Sequence, residues 1–339
     1  MSFVRMVEAW RGELVESVHF GAAAVATARG ELIGGWGDTE MLVYPRSALK
    51  PVQAIALLET GASAAFGLTQ RHLALACASH RGEPFHVELA TSWLDRLGLD
   101  QNALACGPDY PADANAVATA MREGRPRQRI YHNCSGKHCG FLTVARHHGW
   151  PVEDYDRIDH PAQQLYLEAL AELSGLDAHA LPFGIDGCTL PAVALPLRAY
   201  AVMMARFAEA RASLPARRAA ILGIHDAMRL NPELVSGSDQ PGVHVARVTR
   251  GRVIVKTGAE GFMTAYVPGA GLAVALKIAD GEARARVPAL IAVLAGTGLL
   301  DASEQRELAG LAQPPVLDSS GQHVGSLRAC GFARPAQSA

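Results

Sequence analysis

The hydrophobic period changes twice along this 339-residue chain, and those changes constrain the fold more than any single motif. Residues 3 to 10 and 22 to 36 alternate as strands. The second stretch reads as a hairpin in which 22 to 28 and 31 to 36 flank a turn at Arg29-Gly30. The middle of the chain repeats at helical spacing over 45 to 59 (stopped by Gly61), 69 to 78, 86 to 97, 113 to 122, 161 to 174, 193 to 211 and 216 to 229. Alternation returns at 243 to 248, 253 to 256, 262 to 267 and 272 to 278, and an apolar helix over 289 to 295 follows Pro288. Strands at both ends with helices between predict one antiparallel sheet joining the termini, with helices on both faces: an α/β fold of the αβα sandwich type. A single domain is expected over 1–330, with 331–339 as a C-terminal tail.

Composition narrows the class. The chain is 49% hydrophobic and 19% charged, with a net charge of -2 and a pI near 6.7. It can bury a large core, and without a basic run it offers no footprint for nucleic acid or an anionic membrane. No apolar run approaches a membrane span and no secretion signal opens the sequence, so a soluble cytoplasmic protein with a small-molecule substrate is expected. Six cysteines in such a chain read as reduced thiols, ligands or core filler rather than as a disulfide framework.

The 31 basic residues comprise 27 arginines and four lysines, Lys50, Lys137, Lys256 and Lys277. Where arginine serves almost every plain positive charge, a retained lysine suggests work a guanidinium cannot do, which is to give up a proton and act as a base. Lys50 stands in Tyr44-Pro-Arg-Ser-Ala-Leu-Lys-Pro, three residues after Ser47, at the expected first turn of a helix. Chance predicts only about 0.2 Ser-x-x-Lys pairs in this composition, although a short motif needs its context. A hydroxyl becomes a nucleophile only when a neighbour takes its proton, and a lysine at i+3 lies on the same helical face. The plain alternative is a capping serine beside a solvated lysine.

Two later features favour the chemical reading. Ser79 opens the polar turn Ser79-His80-Arg81-Gly82, and Lys256-Thr257-Gly258 ends a β-branched strand. In that order, Ser-x-x-Lys, a loop serine and Lys-Thr-Gly resemble the parts of serine β-lactamases and penicillin-binding proteins. Ser79 would relay protons and Lys256 would maintain a positive field. The Gly258-Ala259 backbone would present an N–H to a carbonyl oxygen.

A second constellation joins Cys134-x-x-Lys137-His138-Cys139 to Cys188 in Gly187-Cys188-Thr189. Thiolates bind soft or borderline metals, and Zn²⁺ takes about four such donors. Cys77, Cys106 and Cys330 read as buried filler. Cys134 and Cys188 sit in glycine-flanked polar turns, where filler is less usual. A lysine can join such a set only as a free amine, and spacing alone leaves Cys139 and His138 open as competing ligands.

Taken together, Tyr44-Pro-Arg-Ser-Ala-Leu-Lys-Pro, His132-Asn-Cys-Ser-Gly-Lys-His138 and Gly184-Ile-Asp-Gly-Cys-Thr-Leu-Pro191 resemble the rhizobial-type (class 3) L-asparaginases of the asparaginase II family, over about residues 4 to 330. The resemblance implies a serine-β-lactamase-like αβα fold, a homodimer, and hydrolysis of L-asparagine to L-aspartate and ammonia. It matches Ser47, Lys50, Ser79 and Lys256 to catalytic positions, and Cys134, Lys137 and Cys188 to a zinc site with Asp186 beside it. Arg46, His80, Asp186 and Ala259 are the expected substrate-binding positions. In the resulting mechanism Ser47, deprotonated by Lys50, attacks the side-chain amide, ammonia leaves, and water hydrolyses the acyl-enzyme while Ser79 and Lys256 pass protons.

Three other readings use the same residues. A glutaminase would act on a side chain one methylene longer, a difference worth only about 1–3 kcal/mol of discrimination. A β-lactamase or peptidase fits poorly without an export signal. A non-catalytic zinc-binding module would leave Ser47 and Lys50 unexplained.

Overall fold

The computed structural model describes residues 2–332, so residues 333–339 of the expected tail lie outside the described residues. The chain divides into two compact units, each assembled from separate stretches. Among the described residues the first comprises 2–48, 194–209 and 244–332, and the second 49–193 and 210–243.

The first unit is built on an eight-stranded sheet. Its strands are β1 (Val4–Arg11), β2 (Leu14–Thr27), β3 (Leu32–Trp36), β4 (Ile254–Thr257), β5 (Phe262–Val267), β6 (Leu272–Ile278), β7 (Pro315–Leu317) and β8 (His323–Ala329). They pair in the order β7-β8-β1-β2-β6-β5-β4, with β3 added on β2. Every pairing is antiparallel; β1 meets β8 with Val7 opposite Ala329. The expected sheet linking the two ends of the chain is therefore present.

Both faces of the central strands are covered, which explains their nearly continuous burial. Met263, Ala265 and Val267 of β5 and Val274, Leu276 and Ile278 of β6 pack with Ala285, Ala289, Leu290 and Val293 of the Ala283–Gly296 helix. The alternate residues face the Leu197–Ala208 helix. There the Tyr200 ring meets Phe262 edge-on at 4.9 Å, and Phe207 meets Tyr266 at 5.5 Å. This is the expected arrangement of an antiparallel sheet with a helix on each face.

The second unit is helical apart from one short hairpin, Phe183–Ile185 with Pro191–Val193. Its helices include Gln70–Ala76, Pro84–Arg96, Ala114–Arg122, Ser135–His148, Pro161–Ser174 and Pro215–Leu230. Among the described residues no helix is long and apolar enough to cross a membrane.

Several expectations need correction. Residues 243 to 248 are not a strand but part of the Pro241–Val248 helix. Three valines suggested alternation, yet Pro241 starts a helix readily and Val243 and Ala246 lie at helical spacing. Pro288 lies inside the Ala283–Gly296 helix rather than before it. The expected 45 to 59 helix is broken into a 3₁₀ turn, Arg46–Leu49, and two short helices, Lys50–Gln53 and Ile55–Glu59. Strand β2 starts at Leu14, because Gly12 takes φ +54 and turns the chain directly out of β1. Strands β7 and β8 were absent from the sequence reading.

Candidate active site and metal centre

The chain passes from the first unit to the second between Ala48 and Leu49, so Ser47 belongs to one and Lys50 to the other. Ser47 is half-buried within the Arg46–Leu49 turn. Arg46 has φ +53, left-handed backbone that non-glycine residues seldom adopt. The turn is pinned at its far end, where the Tyr200 hydroxyl donates to Ala48 O at 2.8 Å.

Strand β4 carries Lys256, 2% exposed, whose Nζ donates to Thr257 O at 3.1 Å. Beyond it, a Cβ added to Gly258 would lie 2.4 Å from Pro45 O and 2.9 Å from Phe262 Cβ. Glycine is thus required for the end of β4 to lie against the residue that precedes Arg46 and Ser47. The Lys-Thr-Gly glycine and the serine turn touch through backbone. In the Gly258-Ala259 backbone expected to present an N–H to a carbonyl oxygen, Gly258 N donates to Phe262 O at 2.9 Å. The Ala259 amide is left as the candidate donor.

In the second unit Lys50 is fully buried at the start of Lys50–Gln53. Its Nζ donates to Ala78 O, to Ser79 Oγ at 3.1 Å and to Asn133 O at 3.4 Å. Three oxygen atoms thus surround this amine. Ser79 N donates to Val235 O at 2.9 Å, which fixes the turn carrying the hydroxyl. Asn133 O also accepts from His80 N at 3.3 Å, so the residue before Cys134 ties the two motifs together.

His80 is 1% exposed. Its Nδ1 accepts from Gly82 N at 3.1 Å, leaving the proton on Nε2, which donates to Ser135 Oγ at 2.8 Å. Burial, then His86 and Lys50, push its pKa well below the ordinary histidine value, and the ring stacks on His86 at 5.0 Å. With both nitrogens engaged, the neutral ring braces the Ser79 turn against the Ser135–His148 helix. That helix approaches closely because Gly136 carries no Cβ, which would lie 2.3 Å from Leu75 O.

Cys134, Lys137 and Cys188 come together. Lys137 Nζ donates to Cys188 Sγ at 3.0 Å. A hydrogen bond from Cys188, opposed by burial and helped by Lys50 and Lys137, holds the Cys134 thiol well below its usual range. The same bond and burial push Cys188 up. Burial works against charge on Lys137, but Cys134, Cys188 and Asp186 outweigh it and hold the amine protonated. Asp186 lies in the same turn as Cys188, and its Oδ1 accepts from Cys188 N at 3.2 Å. Of the competing ligands, His138 keeps its Nε2 buried without a hydrogen-bond partner. Burial and then Cys106 raise Cys139, and His138 Nδ1 accepts from the Tyr155 hydroxyl at 2.5 Å.

Among the described residues no group of three or more His, Cys, Asp and Glu side chains is placed to hold a metal ion. Two thiols and an amine are nonetheless a chemically suitable set for zinc once the amine and thiols have lost their protons. The surroundings also hold spare polar atoms. Gln53 Oε1 and the Tyr166 hydroxyl are buried without a hydrogen-bond partner, and Gln53 shares with Lys137 a cavity of about 10 Å³.

Asn133, Tyr200 and Gln53 were missed as contributors to this architecture. Asn133 lies within His132-Asn-Cys-Ser-Gly-Lys-His138, whereas nothing local marks Tyr200 or Gln53.

Within the second unit, a buried lysine amine on a serine hydroxyl is a pair able to pass a proton. The L-asparaginase II family matches residues 7–329. The chain belongs to that family and is an L-asparaginase-type amidohydrolase. No curated protein matches it. Among solved structures, Mglu in its native form is similar at 17% identity and a TM-score of 0.46, over 88% of this chain and 66% of that one. Mglu in its glutamate form gives 16% and 0.43, over 78% and 58%. A β-lactamase from Mycobacterium bovis gives 17% and 0.35, over 86% and 95%. This chain thus spans 58% to 66% of the Mglu chains.

Proposed function

We propose that the protein is an L-asparaginase that hydrolyses L-asparagine to L-aspartate and ammonia. The observation that carries this reading, within the family, is the fully buried Lys50 amine 3.1 Å from Ser79 Oγ. Ser47 is the nucleophile and Lys50 its base. Ser47 Oγ adds to the side-chain carbonyl as its proton passes to Lys50, and the tetrahedral intermediate expels ammonia, protonated through Ser79 and Lys256. Water then cleaves the ester, returning the proton to Ser47 Oγ. Arg46, Asp186 and the Ala259 amide bind the substrate; His80 holds the Ser79 turn in place.

Cys134, Lys137 and Cys188 would hold one zinc ion, which when bound supplies a fixed positive centre beside the substrate. The reading includes a homodimer working in the cytoplasm, for which size-exclusion chromatography with light scattering and cell fractionation are the checks. Ammonia release from L-asparagine and L-glutamine, with and without a chelator, tests the function. Turnover of asparagine is expected, and the comparison with glutamine decides between the asparaginase and glutaminase readings. No release from either amide overturns it.

A further inference from the structure

The turn between Phe183–Ile185 and Pro191–Val193 contains a residue that is costly in two ways. Thr189 has φ +79, the left-handed region. Of the non-glycine residues there (Arg46, Asp154, Thr189, Ala210, Arg250 and Glu260), it alone is β-branched, and for a β-branched side chain this backbone is a genuine outlier. In addition, Thr189 Oγ1 is buried without a hydrogen-bond partner. A hydroxyl removed from water normally finds one.

The turn does not need this side chain for closure. Thr189 N donates to Asp186 O and Asp186 N to Leu190 O, both at 2.9 Å, bonds that any residue makes with its backbone. Glycine would adopt the same φ without strain and would leave no orphaned hydroxyl. Strain of this kind is maintained where it serves a site, and the neighbours here are Asp186 and Cys188, both assigned above.

We propose that Thr189 Oγ1 is a substrate contact, donating a hydrogen bond to an oxygen of a bound small amino-acid amide or its product carboxylate. The bound ligand supplies the partner that the hydroxyl lacks, and the left-handed backbone aims the hydroxyl at it. This inference rests on the L-asparaginase reading of the site.

The test compares Thr189→Gly, Thr189→Val and Thr189→Ser with wild type by thermal unfolding, ammonia release from L-asparagine, and the rise in Tm caused by L-aspartate. Thr189→Gly is expected to unfold about 2–4 °C or more above wild type, since strain and orphan are both removed. Its kcat/KM should nevertheless fall about 5- to 100-fold, mostly in KM, with a smaller L-aspartate shift. Thr189→Ser keeps the hydroxyl and stays within about threefold of wild type. Thr189→Val should lose activity as Thr189→Gly does; if it fails to fold, the glycine variant decides. A wild-type kcat/KM and L-aspartate shift in Thr189→Gly overturns the inference, as does a lower Tm for that variant, which would make the side chain a packing strut. A wild-type chain that releases no ammonia instead overturns the function reading itself.

Discussion

Lys50 Nζ lies 3.1 Å from Ser79 Oγ, and Asn133 O, 3.4 Å from the same nitrogen, also accepts from His80 N. The amine is therefore held by a hydroxyl that can exchange a proton with it and by carbonyls that cannot. Of its three partners only the hydroxyl can relay a proton, which gives Ser79 its part in the proposed reaction.

Lys50→Arg is expected to lower kcat/KM for L-asparagine by at least about 100-fold, close to the loss in Lys50→Ala. Arginine is no base near neutral pH, and its planar fork does not match a site shaped for a single amine nitrogen among three oxygens. Ser47→Ala should abolish turnover with a stability change within about 1 kcal/mol, since the turn is also held by Tyr200. Ammonia release and urea unfolding of each variant decide; wild-type activity in either one ends the mechanism.

Two glycines should resist alanine. Within a helix, replacing Gly136 by alanine gains roughly 0.5–1 kcal/mol from backbone entropy. The new Cβ, however, would lie 2.3 Å from Leu75 O, and overpacking against backbone costs about 1–3 kcal/mol. Gly258→Ala meets Pro45 O at 2.4 Å. Both variants should be less stable in urea by about 1–3 kcal/mol, and Gly258→Ala should also lose activity by displacing the serine turn. Gly136→Ala as stable as wild type would show that the approach to Leu75 relaxes easily.

Metal analysis of the purified protein should find about one zinc per chain. Alanine at Cys134, Lys137 or Cys188 is expected to remove it, whereas Cys139→Ala should keep it, because Cys139 is buried beside Cys106. Zinc retained by Cys188→Ala, or lost from Cys139→Ala, refutes the ligand set.

Acid should weaken the fold through His72. Its Nδ1 accepts from Thr69 N at 3.1 Å at the start of the Gln70–Ala76 helix. Burial, then Arg96 and Arg71, lower its pKa to about 4. In the unfolded chain it titrates near 6.5, so the unfolded state binds the proton first as pH falls. The contribution is complete above about 6.5 and is lost between there and about 4. His72→Gln, which keeps an acceptor reaching back to Thr69 N, should show a flatter decline of urea stability over that interval. An unchanged slope would exclude His72 as the source.

Legibility in the sequence followed the range of the interactions. The helix at 161 to 174 and the strands at 262 to 267 and 272 to 278 match the structure to the residue, because Pro161, Gly175 and two-faced burial act locally. Strand β8 was not legible because its pairing depends on β1, more than 300 residues away, and β7 is an edge strand held only by β8. At the site, Ser47, Lys50 and the cysteines stood out by motif and by the rarity of lysine. What braces them did not: Tyr200 acts on Ala48 across 152 residues, and the strain at Thr189 exists only in dihedral angles.

The rarity of lysine has a practical side. Lys50, Lys137 and Lys256 are 0%, 5% and 2% exposed, and Lys277 is half-buried with its amine on Glu260 O and Ile278 O. Amine-directed reagents such as succinimidyl esters and aldehyde crosslinkers thus meet almost no reactive side chain on the folded protein. Immobilisation or polymer conjugation will have to use other handles, and reaction at Lys50, Lys137 or Lys256 reports that the fold has opened.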